Sequence, residues 1–313
     1  MEDSSTGRDG DRPVHDAQPG ALRGYPPPGY LATPRPQAPY PPPGGERSGS
    51  QAHGAGGGEA PPSTPSQGWT WVAFAVVGFL VGQVVSAVLL YVAAAVSGHL
   101  SDIASLSARA VPPAWVVVVE LVGLWIGFGG AVVAASRTRG SRSIVRDMRI
   151  GLRPSDLVVG PVVGLGAQLL LLPLLYLPLE PLIPHLSKRL SQPAKHLTGG
   201  FPGTDLAVVA VLTVLVVPVV EETFFRGLLL NGFLAAFGRT GRVIGPVLSC
   251  CVTGIAFGLA HFEPLQLLGL AAFGIVLSVM AYRLKRLGPC MLAHAAFNLV
   301  AILVVAFPTG LLR

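Results

Sequence analysis

The sequence predicts an all-α protein: a polytopic bundle of about seven to eight membrane-crossing helices around a polar cavity. Three observations carry that expectation. The 313-residue chain is 51% hydrophobic and only 12% charged, with a mean hydropathy of +0.59, too apolar for a soluble domain of its size. Its apolar runs reach the roughly 20 residues that a helix needs to cross a bilayer core. The few polar side chains inside those runs recur four residues apart, the spacing that puts them on one helical face.

Residues 1–66 contain the runs YPPPGY and YPPPGG and no periodic apolar pattern. Such a segment buries too little surface to offset its ordering entropy, so a disordered Pro/Gly-rich tail is expected, with the two Pro-Tyr runs as candidate partner-binding stretches. The first hydrophobic run begins near Trp69, too far from the start for a cleavable signal. Residues 67–313 are then the membrane domain. Crossings are expected at 69–97, 114–135, 157–178, 205–237, 243–262, 265–282 and 287–307. The fourth is too long for one straight crossing, and Pro218 is expected to kink or break it.

The net charge of +6 and sequence pI near 9.6 do not point to nucleic acid, because the cations lie between apolar runs and not on a compact basic domain. They read as orientation signals. Arg137, Arg139, Arg142, Arg146, Arg149 and Arg153 follow the second run, Arg239 and Arg242 the fourth, and Arg283, Lys285 and Arg286 the sixth. All three groups face the cytoplasm of a cell membrane if the N-terminal tail is cytoplasmic. Lys188, Arg189 and Lys195 are the exception. Their loop, which also holds His185 and His196, is expected to form an ordered non-cytoplasmic hairpin or to conceal one more helix.

Cys250, Cys251 and Cys290 lie in apolar runs without metal-ligand spacing and read as small core residues. Gln83 and Gln168 read as interhelical hydrogen-bonding residues. Glu120, an isolated carboxylate in WVVVVELVGLW, needs a partner or a cavity and is left outside the site.

The chemistry-bearing stretch is Pro218-Val-Val-Glu-Glu-Thr-Phe-Phe-Arg226. On a helix Glu222 and Arg226 share a face and pair favourably. Glu221 lies about 100° away and lacks that partner, which leaves one glutamate structural and the other free for chemistry. His261, one turn after Phe257, and His294, one turn before Asn298, are the only histidines within expected crossings. Three helices each carrying polar groups into lipid are costly unless the groups meet. A carboxylate, two imidazoles and an amide suit water activation and oxyanion stabilisation. No G-x-S-x-G or HExxH pattern occurs, so direct attack by water is the simplest chemistry.

The ordered motifs Glu-Glu-x-x-x-Arg at Glu221, Glu222 and Arg226, Phe-x-x-x-His at Phe257 and His261, and His-x-x-x-Asn at His294 and Asn298 resemble the CPBP family of intramembrane proteases, also called the Abi or CAAX prenyl protease family. The resemblance covers about residues 205–305. It implies about eight helices around a wet conical cavity open to the cytoplasm and partly to lipid. It implies that Glu221, assisted by His261, activates water, that Glu222 and Arg226 support it, and that His294 with Asn298 stabilises the oxyanion. Phe257 is read as a substrate-binding position.

Glu221, His261 and His294 are also the candidate ligands of a catalytic zinc, since two histidines and a carboxylate make the usual set; metal-dependent and metal-free mechanisms both remain open. The implied substrate is a peptide or lipidated peptide, in eukaryotic relatives a prenylated CaaX tail and in bacterial ones maturing peptides, bacteriocins or immunity determinants. Membrane lipid is the other expected partner; the oligomeric state is open. Two rivals stand beside the protease: a non-catalytic membrane scaffold, and a proton-coupled transporter using Glu221, His261 and His294 as a relay.

Overall fold

The computed structural model describes residues 62–102, 112–198 and 203–306. Residues 1–61, which hold both Pro-Tyr runs, lie outside the described residues, as does the side chain of His196. The described residues are helical and contain no strand. Seven apolar helices form the bundle, α1 Pro65–Val96, α2 Ala114–Arg139, α3 Asp156–Leu179, α4 Gly203–Ala236, α5 Ile244–Leu259, α6 Leu267–Leu284 and α7 Gly288–Ala306.

The first five expected crossings and the last two fall on these helices, but their lengths differ. Five meet the length and hydropathy of a crossing, whereas α5 and the apolar part of α7, Gly288–Val304, are shorter. At about 1.5 Å of rise per residue, the 16 residues of α5 span roughly 24 Å. Between α3 and α4 there are only the short turns Leu186–Leu190 and Gln192–Thr198, so among the described residues that loop conceals no further crossing. The end of α3 and this loop are held to the α5–α6 connection, with Tyr176 Oη donating to Leu265 O at 2.8 Å and Gln266 Nε2 to Leu190 O at 2.8 Å.

Where α1 begins, the Thr64 side chain accepts the Gln67 amide and the Gln67 side chain returns to the Thr64 backbone. This reciprocal cap satisfies two amides that a helix start leaves without partners. It puts the start two residues before the expected boundary.

Small residues set the packing, because apolar area alone drives little helix association in lipid. Gly78 and Gly82 of α1 meet Gly127 and Leu124 of α2, and a Cβ on Gly164 of α3 would collide with the Ala293 backbone of α7. In the α5–α6 hairpin, Gly254 faces Gly274 and Ile275 so closely that neither glycine has room for a methyl group.

Pro218 does not break α4. A π turn at Leu212–Val216 ends just before it, and the Val217 amide donates to Leu212 O five residues back. Widening the helix there removes the need for the amide that proline lacks. A second π turn, Ala167–Leu171, stands in the same relation to Pro173 in α3. A third follows the paired glutamates at Thr223–Leu229, where such turns recur at functional sites.

Neither Gln83 nor Gln168 makes an interhelical hydrogen bond, and Gln168 Oε1 is buried without a partner. Glu120 lies on the exposed side of α2. All three cysteines are free, and Cys250 and Cys290 are buried.

Candidate active site

The paired glutamates lie mid-way along α4, facing α7. Glu222 is fully buried, and its Oε1 accepts two charge-assisted hydrogen bonds, from Arg226 Nη1 at 2.8 Å and from His294 Nδ1 at 2.9 Å. A carboxylate oxygen only accepts. His294 therefore carries its proton on Nδ1, and Nε2 is left as an acceptor. That nitrogen faces Glu221 Oε2 across 3.9 Å, beyond direct hydrogen bonding. Glu221 is 8% exposed, and its Oε2 has no partner.

Arg226 anchors the cluster in three directions. Besides Glu222, its Nη2 donates to Gly274 O of α6 at 3.0 Å, and its guanidinium lies 4.4 Å from the centre of the Phe257 ring. The planar fork serves two acceptors and an aromatic face together, which suits arginine and not lysine. Gly274 O also accepts from Ser278 Oγ at 2.8 Å.

Phe257 lies in the interior of the cluster. It is 1% exposed, and its ring edges meet Phe225 at 5.2 Å, His261 at 4.8 Å and His294 at 5.6 Å. Its surface is occupied by the cluster, so it lies beneath the two imidazoles. Aromatic pairs favour such edge-to-face geometry, and the run continues through Phe225 to Phe224 and Phe128, which stack at 3.8 Å.

His261 lies half-buried two residues past the end of α5, with Nδ1 donating to Phe257 O at 2.8 Å, which leaves Nε2 as an acceptor. No hydrogen bond or ion pair joins it to Glu221. Asn298 is four residues beyond His294, but its Nδ2 donates to Thr213 O at 2.9 Å, inside the π turn of α4. His294 and Asn298 thus share a helix face without a shared partner, because each is drawn to a different group on α4.

The structure therefore brings Glu221, Glu222, Arg226 and His294 into one network, with His261 joined through Phe257 and Asn298 one turn away. Sequence reasoning missed Gly274, whose backbone carries no side-chain signal, and the direct link of His294 to Glu222. Among the described residues no three His, Cys, Asp or Glu side chains converge as a metal-binding group. His294 spends one nitrogen on Glu222 and His261 one on Phe257 O.

The fold and this site define a multi-pass membrane protein with a carboxylate–imidazole–guanidinium cluster among its helices. Residues 203–300 match the family described as Type II CAAX prenyl endopeptidase Rce1-like. That stretch contains every residue of the three motifs, and the match agrees with the resemblance they carry. No curated protein and no solved structure matches the chain.

Proposed function

We propose that the chain is a membrane-embedded endopeptidase that hydrolyses a peptide bond with water activated by Glu221. The supporting observation is the facing pair of acceptors, Glu221 Oε2 and His294 Nε2, 3.9 Å apart. In this reading a bridging water donates one hydrogen to each and keeps its lone pairs free for a carbonyl carbon. Glu221 takes the proton as the oxygen attacks, then returns it to the departing amine. Low-dielectric surroundings strengthen a carboxylate as a base in this role.

Glu222 and Arg226 hold the His294 tautomer that leaves Nε2 an acceptor, as a buried carboxylate orients an imidazole in other hydrolases. Asn298 spends one amide hydrogen on Thr213 O and keeps the other for the oxyanion. His261 Nε2 is the remaining acceptor, for the N–H of the scissile amide. The substrate is a peptide entering from the membrane, with a prenylated CaaX-type tail as the first class to test. The N-terminal tail and the basic connections lie in the cytoplasm.

The deciding experiment places the purified chain in liposomes with a quenched prenylated peptide. Cleavage that disappears with Glu221→Gln supports the reading. Proton flux without cleavage would favour the transporter, and neither activity the scaffold.

A further inference from the structure

We infer that the basic cavity between the α2–α3 connection and the α6–α7 turn binds the phosphate headgroup of an anionic phospholipid. The inference does not depend on the protease reading. The cavity measures about 520 Å³, and Arg146, Arg149, Arg153, Lys285 and Arg286 line it without any carboxylate. Among the described residues only the Arg286 side chain has an acidic partner, through paired hydrogen bonds to Asp156 at 2.5 and 2.9 Å. The others bring like charges to one concavity, an arrangement that an anion relieves.

The cavity is built and not a chance of loose side chains. The Leu287 amide donates to Arg149 O at 3.1 Å and the Gly288 amide to Gly151 O at 2.9 Å, fastening one wall to the other. Arg149 and Lys285 both take left-handed backbone conformations, with φ of 56° and 57°. Such conformations are uncommon for residues with side chains, and here they close helical turns, Lys285 capping α6 through its amide to Ala281 O. Partial burial, and then the nearby Arg149, hold the Lys285 ammonium below its ordinary range.

The occupant is a lipid and not a soluble anion because the rim is apolar. Val145 and Leu152 line the same cavity and are 60% and 61% exposed. Leu157 and Val158 continue that exposed apolar surface along α3. A phosphate among the cations with acyl chains across this rim satisfies both halves, and basic pockets between membrane helices bind headgroups in this way.

The test uses the full chain purified in nonionic detergent, offered phosphatidylglycerol or phosphatidylcholine, with retained lipid counted by native mass spectrometry. The natural sequence is expected to retain phosphatidylglycerol in preference. The pair Arg149→Gly and Lys285→Gly removes two charges where the backbone already favours glycine, so folding is preserved, and retention is expected to fall tenfold or more. The exposed pair Arg146→Gln and Arg153→Gln should lower it severalfold, whereas Arg137→Gln and Arg139→Gln, outside the cavity, should not. Equal loss in the outside pair, or none in either cavity pair, overturns the site. Displacement of the lipid by equimolar inorganic phosphate would make it a soluble-anion site and overturn the headgroup assignment.

Discussion

His294 and Glu222 meet through Nδ1 and Oε1 at 2.9 Å, and this bond makes the two adjacent glutamates unlike. Glu222 becomes part of the frame, its Oε1 shared between imidazole and guanidinium donors, while Glu221 takes no direct hydrogen bond from the cluster.

Exchanging each glutamate for glutamine therefore gives two phenotypes. Glu221→Gln should cut peptide hydrolysis by about 10²- to 10⁴-fold, the usual worth of a general base, with the thermal midpoint unchanged. Glu222→Gln should lower both. It replaces the charge that compensates a buried guanidinium, and breaking such a pair costs about 3–5 kcal/mol. Thermal unfolding in detergent alongside the peptide assay separates them; a Glu222→Gln protein with full stability and no activity would reverse the assignment.

Arg226→Lys should not be conservative. An ammonium cannot serve Glu222, Gly274 O and the Phe257 face together. The variant should melt several degrees lower and lose activity even in molecules that remain folded, as judged by gel filtration followed by the peptide assay.

The seven helices were legible because a run of apolar residues leaves few alternatives, and the Glu222–Arg226 pair because four-residue spacing fixes it. Pro218 was legible as a disturbance but not in its outcome, since a π turn and a break begin from the same missing amide. The partner of His294 was not legible. Helix spacing placed it with Asn298, but the α4 and α7 crossing, set by backbone approach and not by any side-chain pattern, gave Glu222 to one and Thr213 O to the other.

Phe257→Leu distinguishes a residue beneath the site from one that touches substrate. Removing the ring withdraws the platform shared by Arg226, His261 and His294. It should lower kcat about tenfold with little change in KM, because the geometry of the reacting groups suffers and not the binding surface. A raised KM with unchanged kcat would instead give Phe257 the substrate-binding role read from the motif.

Asn298→Ala tests the remaining amide hydrogen. If Asn298 only ties α7 to Thr213 O, its loss removes one interhelical hydrogen bond, worth about 0.6 kcal/mol in a membrane bundle, and hydrolysis barely changes. The proposed oxyanion role requires more: kcat should fall about 10²- to 10³-fold, the effect of deleting one oxyanion donor, at nearly constant KM and thermal midpoint. Asn298→Asp sharpens the contrast. It offers the oxyanion and Thr213 O a carboxylate in place of two donors, so it should be at least as inactive as the alanine variant. Full activity in the aspartate variant would remove Asn298 from the mechanism.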